Sequence, residues 1–470
     1  MPLVDKSATV GGGAPSRLVV MRGVVVSGLG NIISRVIEMG VAVLLLRWLT
    51  IFEFGVYHLV ISAYNFGTSF FLVGAQDVVV SEVTKNLTHD FKAARRIFST
   101  YVIFVASVGI LLWAIFFFGS GLVAHWFPSG AYYIKIVSFL FLLSPFETAY
   151  RLKFQIFLDF FWINLFRAFR DITMLIAISS LWFLMVFGAP EAVWAFLLAT
   201  AIPIFLTWGW YNRRGLFTVP RLSEVVPTFR GIFFRYGKWA WIYTLVENMA
   251  KNFRPLLIRT FVGTEAVALI SLSQSLNAYL ASLFPIKEIF LPVFPRSTDD
   301  LQGLAFKAKK AVKYSIITFA FLAVLGALAA PVLVYLIFPK YVPALPFFFI
   351  SLTVFRLNGF RSVISPLFVA LRTQLFSFYI SLLRIVTLFV AGTGLMYFFG
   401  IWGAAWEIVA TNIVITVAAV LFLKKALPEW RFSFRSLFRV DSYDRKIFAD
   451  LKNRIKNKLL SLRFQKEQRA

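Results

Sequence analysis

Twelve apolar runs, each about 20 residues or longer and so able to span a bilayer, dominate the chain. The first six cover roughly 23–46, 55–80, 97–124, 131–150, 161–187 and 191–212. The second six cover roughly 237–260, 266–293, 314–337, 342–368, 375–398 and 403–423. A backbone in hydrocarbon must satisfy its own hydrogen bonds, so these runs are expected to be helices. Composition agrees: 59% of residues are hydrophobic and 15% charged, whereas soluble chains run nearer about 45–50% and about 25%. The expected fold is an all-α polytopic membrane protein of about twelve transmembrane helices.

The net charge of +26 could signal a nucleic-acid partner. The distribution argues otherwise, because the basic residues sit mostly in alternate connections between the apolar runs. Arg17 and Arg22 precede the first span. Lys85, Lys92, Arg95 and Arg96 follow the second, and Arg151 and Lys153 follow the fourth. Arg213, Arg214, Arg221, Arg230, Arg235 and Lys238 follow the sixth, Lys307, Lys309, Lys310 and Lys313 the eighth, and Arg372 the tenth. The intervening connections are nearly bare, with Arg47, Arg259 and Lys340 at their edges. The positive-inside rule then puts both termini in the cytoplasm and the protein in the cell (inner) membrane, with no nucleic acid among its partners. From Arg445 onward, Ile447, Leu451, Ile455, Leu459 and Leu462 recur at helical spacing among lysines and arginines. That pattern reads as a basic amphipathic helix on the anionic inner leaflet.

The chain repeats itself. Leu46-Arg47 leads to Glu53 as Ile258-Arg259 leads to Glu265, and 259 − 47 = 212. Phe127-Pro128 recurs as Phe338-Pro339, at 338 − 127 = 211, and Phe187-Gly188 with Trp194 recurs as Phe399-Gly400 with Trp406, at 406 − 194 = 212. The offset spans six helices, so both copies share one topology and form a parallel repeat. The expected organisation is a cytoplasmic segment 1–22, a six-helix bundle 23–212, a linker 213–236, a second bundle 237–423 and a basic tail 424–470.

Charges far from the helix ends are the candidate functional residues, since each costs roughly 2.5–3.5 kcal/mol at the bilayer centre unless it meets water or a partner. Arg35 and Glu38 lie three apart in the first span, and Glu247, Lys251 and Arg254 lie four and three apart in the seventh. Arg356 lies in the tenth span, Arg384 in the eleventh and Glu407 near the start of the twelfth. Arg35 and Glu247 are repeat equivalents, because 247 − 35 = 212. A two-fold-like axis would bring the first and seventh helices together, so Arg35, Glu38, Glu247, Lys251 and Arg254 are expected to cluster at the bundle interface. The same residues could instead be ion pairs that lock the bundles. Cations outnumber acids, which favours a hydrated cavity for an anionic guest at Lys251, Arg254, Arg356 and Arg384. Arg167 and Arg170 are close enough to the inner surface to snorkel. Gln274, Asn277 and Tyr279 could meet sugar hydroxyls or hold helices together.

Enzyme chemistry finds little support. There is no cysteine and His58, His89 and His125 are far apart, so no metal site or cofactor is expected. No glycine loop with lysine cradles a nucleotide. Asp299-Asp300 lies in a basic loop, where local salt bridging is its expected role.

The stretch Arg47-Trp48-Leu49-Thr50, then Glu53-Phe54-Gly55-Val56-Tyr57, then Gln76-Asp77 before Ser81-Glu82, together with Leu336-Ile337-Phe338-Pro339-Lys340-Tyr341, resembles one known family. It is similar to the Wzx-type O-antigen and polysaccharide flippases of the multidrug/oligosaccharidyl-lipid/polysaccharide exporter superfamily. The resemblance covers roughly 18–425. It implies two six-helix bundles around a cationic cavity, and a lipid-linked oligosaccharide on a polyprenyl-pyrophosphate anchor as cargo. The substrate-binding residues it suggests are Arg35, Lys251, Arg254, Arg356 and Arg384, with Glu38 and Glu247 as ion-coupling sites. Membrane lipids, a polysaccharide polymerase and other glycan-assembly proteins are the implied partners. The competing expectations are a drug/cation antiporter of the same superfamily, a membrane glycosyltransferase or ligase on the same lipid carrier, and a scaffold without transport.

Overall fold

The computed structural model describes residue 34 and residues 36–430, apart from 72–75, 88–89, 123–129, 158, 185–186, 212–215, 219–221, 233–237, 285, 287–289, 291–293, 295–299 and 372. Arg35 and the amphipathic helix expected after Arg445 lie outside the described residues.

The first bundle contains α1 (36–48), α2 (Ile51–Thr68), α3 (Gln76–Asn86), α4 (Phe91–Phe118), α5 (Gly130–Ile156), α6 (Phe160–Phe183) and α7 (Ala189–Tyr211). A short helix, α8 (Leu222–Ile232), lies in the connection. The second bundle contains α9 (Lys238–Phe261), α10 (Thr264–Ser282), α11 (Leu301–Ile337), α12 (Leu345–Leu352), α13 (Phe355–Ala370), α14 (Gln374–Thr387) and α15 (Thr393–Ala426). The repeat shows in these bounds: adding 212 to the start of α2 gives 263, and to that of α5 gives 342, each within three residues of α10 and α12. The protein is an all-α polytopic membrane protein built as two six-helix bundles in parallel repeat.

Helix starts follow local chemistry. Thr50 and Glu53 form a reciprocal capping box on α2, with Thr50 N donating to Glu53 Oε2 at 2.9 Å. Asp300 caps α11 by accepting from Gly303 N at 2.9 Å, and Asp299 lies outside the described residues. Along α11 a stripe of Phe321, Leu325, Leu328, Val332 and Leu336 is exposed. The opposite face, including Phe319, Leu322 and Gly326, is buried. In a membrane the outer stripe meets lipid, and association rests on close packing and polar contacts rather than on a hydrophobic gain. Such contacts include Tyr64 to Ser144, 2.7 Å apart between α2 and α5, and the Asn277 amide donating to Ser351 between α10 and α12.

Three expected spans are broken. The second ends at Thr68 because the hydroxyls of Thr68 and Ser69 both donate to the Asn65 carbonyl, competing with the helical ladder. The tenth consists of a 3₁₀ turn (Pro339–Ala344), α12 and α13, bent by 53°. The eleventh passes through a π-helical segment, Leu388–Gly392, four residues beyond Arg384. The eleventh and twelfth spans then join at Gly400, whose φ of 55° and ψ of −131° suit glycine alone. Among the described residues, four helical stretches pass on their own as long and apolar enough to cross a membrane, or five if the bent pair counts as one span. Others are interrupted by breaks or charges: α9 alone carries Lys238, Glu247, Lys251, Arg254 and Arg259.

The 213–236 connection differs from a plain linker. Its helix α8 stacks Phe229 on Phe104 of α4, with ring centroids 4.3 Å apart, and pairs Glu224 with Arg96 at 3.7 Å on the surface. Between the bundles, α2 packs against both α9 and α10.

Candidate functional site

Helix α9 sets the site. Tyr243, Glu247, Lys251 and Arg254 follow one another at spacings of four, four and three, so they share a face. Glu247 is the hub. Lys251 Nζ lies 2.9 Å from its carboxylate, and Arg384 Nη1 of α14 reaches the same oxygen at 3.4 Å. The Tyr243 hydroxyl completes the shell by donating to it. One turn further, Arg254 grips Glu407 of α15 with two parallel bonds, Nε at 2.8 Å and Nη2 at 3.1 Å. The Thr411 hydroxyl donates to the same carboxylate at 2.7 Å. Glu407 is fully buried, and the Arg254 side chain is 13% exposed.

Arg361 of α13 sits among these charges. Its guanidinium donates to Asn358 of the preceding turn and lies within electrostatic reach of Arg384, Glu247 and Arg254. Among the described residues it has no carboxylate at ion-pair distance. The group therefore holds four cations, Lys251, Arg254, Arg361 and Arg384, against two carboxylates, Glu247 and Glu407, a formal surplus of 4 − 2 = +2.

All of these cations line one cavity of about 1960 Å³. Small-molecule sites typically occupy about 300–1,000 Å³. The lining runs from the middle of the helices to the ends that carry the basic connections: Phe284 after α10, Phe368 on α13, Ser377 on α14 and Ala419 on α15. The first bundle contributes Val36 and Met39 of α1, and Ile163, Asn164 and Arg167 of α6. Gln274, Asn277 and Tyr279 line the cavity, as do Ser362, Ser365 and Asn412. The cations are thus joined to a wall of amides and hydroxyls.

Of the cluster expected at the bundle interface, Glu247, Lys251 and Arg254 are together, with Arg384 of α14 and Glu407 of α15 of their own bundle as partners, while Arg35 lies outside the described residues. Glu38 lies in the first bundle, within electrostatic reach of Asp171. Near it, Arg170 bridges Glu147 and Asp171, each at 3.5 Å. Across the bundles α9 packs on α2, and Val36 and Met39 of α1 line the same cavity as Glu247, Lys251 and Arg254. Arg356 is exposed and lies outside the cavity lining. Five residues at about 100° each put Arg361 some 140° around the helix from it, and that face is the one turned inward. Arg361 was open to detection as a charge inside the tenth span, and packing brings Arg384 and Glu407 to the α9 cluster.

A family model described as polysaccharide biosynthesis protein matches residues 44–346. The chain belongs to the polysaccharide biosynthesis protein family. No curated protein matches it in sequence. Among solved structures, an inward-facing multidrug resistance MATE family transporter of the MOP superfamily is similar, with a TM-score of 0.72 at 14% identity over 84% of this chain and 95% of that one. The lipid II flippase MurJ in an inward closed conformation is also similar, at 0.68 and 13% over 88% and 89%. An outward-facing multidrug resistance MATE family transporter gives 0.55 at 15% over 88% and 95%. This member of the family thus has the fold of MOP superfamily transporters.

Proposed function

We propose that the protein is a flippase that carries a lipid-linked oligosaccharide, on a polyprenyl-pyrophosphate anchor, from the cytoplasmic to the outer leaflet by alternating access. The observation that carries this reading is Arg361, a guanidinium without an acidic partner among the described residues, in a cavity whose described cations outnumber its carboxylates. A buried surplus of positive charge is stable only with water or an anion beside it. Arginine grips pyrophosphate by paired, charge-assisted bonds. Arg361, Arg384, Arg254 and Lys251 are our candidates for that contact, and Gln274, Asn277 and Asn412 for the sugar hydroxyls. Arg356, which is exposed away from the cavity, is not retained, and Arg35 keeps its sequence-based candidacy.

The positive-inside rule makes the basic end cytoplasmic, so the cavity faces the leaflet where such a lipid would be loaded. Residues 23–212 and 237–423 are the two bodies that rock, joined by 213–236. A headgroup that takes Arg384 and Lys251 leaves Glu247 without counter-charge, which suits Glu247 to exchange a coupling ion. Glu38, within electrostatic reach of Asp171, is the candidate ion-coupling carboxylate of the first bundle. A cationic lining disfavours the cationic cargo of a drug antiporter. Deleting the gene and measuring lipid-linked glycan in each leaflet tests the proposal. Build-up on the cytoplasmic side is expected, and an unchanged distribution would contradict it.

A further inference from the structure

The end of the molecule opposite the basic connections is closed, and one side chain bridges its two halves. Lys340 lies in the 3₁₀ turn Pro339–Ala344 of the second bundle. Its Nζ donates to the Arg47 carbonyl at 3.0 Å and also to the Leu49 carbonyl, both at the end of α1 in the first bundle. The last carbonyls of a helix lack intrahelical donors and carry the negative end of its dipole, so a lysine is well suited there.

The surroundings point the same way. Tyr341 is fully buried and meets Phe54 edge-on, with ring centroids 5.7 Å apart. Phe338, Tyr341, Ala344 and Leu345 belong to the same buried core as residues of α2, α4 and α5. Gly55 of α2 lies against the Thr264 carbonyl at the start of α10, where a Cβ would overlap the carbonyl oxygen. The bundles therefore touch backbone to backbone, with Lys340 tied across the seam. By the repeat, the position equivalent to Lys340 in the first bundle is Ser129, since 340 − 129 = 211, so the lysine is supplied from one side only.

We infer that Lys340 is a latch that holds this end shut, and that it releases Arg47 and Leu49 each time the end opens. The inference rests on alternating access, but its test reads conformation and needs no substrate. The chain has no cysteine, so paired spin labels can be placed at will. Phe52 and Tyr335 are exposed near this end, one in each bundle. With Phe52→Cys and Tyr335→Cys labelled, the otherwise unaltered protein in lipid nanodiscs should give mainly one short distance. Lys340→Met removes two bonds to a charged donor, and the open-to-closed ratio should rise about tenfold, seen as a second, longer distance. Lys340→Arg should largely keep the short distance. Gly55→Ala, which wedges the same seam, should lengthen it with Lys340 intact. Identical distance distributions for Lys340 and Lys340→Met, in protein that Gly55→Ala does open, would overturn the latch. If Lys340→Met opens this end while the unaltered protein moves no lipid-linked glycan, the latch stands and the proposed cargo falls.

Discussion

Cutting the Arg254–Glu407 pair is the sharpest test of how the second bundle holds its charges. The perturbation is Arg254→Leu, which leaves a carboxylate that is fully buried and bonded only by Thr411. Breaking a buried pair by removing one partner costs about 3–5 kcal/mol. The assay is thermal unfolding of purified protein in detergent, with Glu407→Leu and the double variant completing the cycle. The double variant should recover most of the loss, because it strands no charge. A single variant as stable as the unaltered protein, or a double variant no more stable than Arg254→Leu, would refute the pairing.

Other consequences are equally direct. Arg361→Gln should abolish glycan export, whereas Arg356→Gln, on the outward face, should leave it near normal; equal loss in both, measured by complementation of a deletion strain, would contradict the assignment. Gly400→Ala should cost about 1–3 kcal/mol through its positive φ, read as a lower melting point. Asp300→Ala should cost about 1 kcal/mol by removing the α11 cap, with export unchanged.

Much of the fold was legible because lipid leaves few choices: a run of about 20 apolar residues must be a helix. The breaks at Thr68–Ser69 and within 339–354 were hidden, since hydroxyls that divert helix carbonyls look like any other small residues in an apolar run. The α8 helix was hidden for another reason, being too short to span and lying in a charge-rich connection. At the site, Glu247 and Lys251 were legible as an i, i+4 pair on one helix. The Arg254–Glu407 pair was not, because 153 residues separate its members and only packing joins them. Arg361 was missed in favour of Arg356 because both lie in the same span, and only the rotation of α13 distinguishes inward from outward.

The central claim is that surplus cations in the cavity carry an anionic lipid-linked headgroup. Its most direct measurement is translocation of a polyprenyl-pyrophosphate oligosaccharide in vesicles containing the purified protein, read by a glycan-cleaving enzyme added outside. The account predicts transfer that depends on the protein and is lost in Arg361→Gln, while Arg356→Gln retains it. No transfer above protein-free vesicles, or equal transfer with Arg361→Gln, would contradict it.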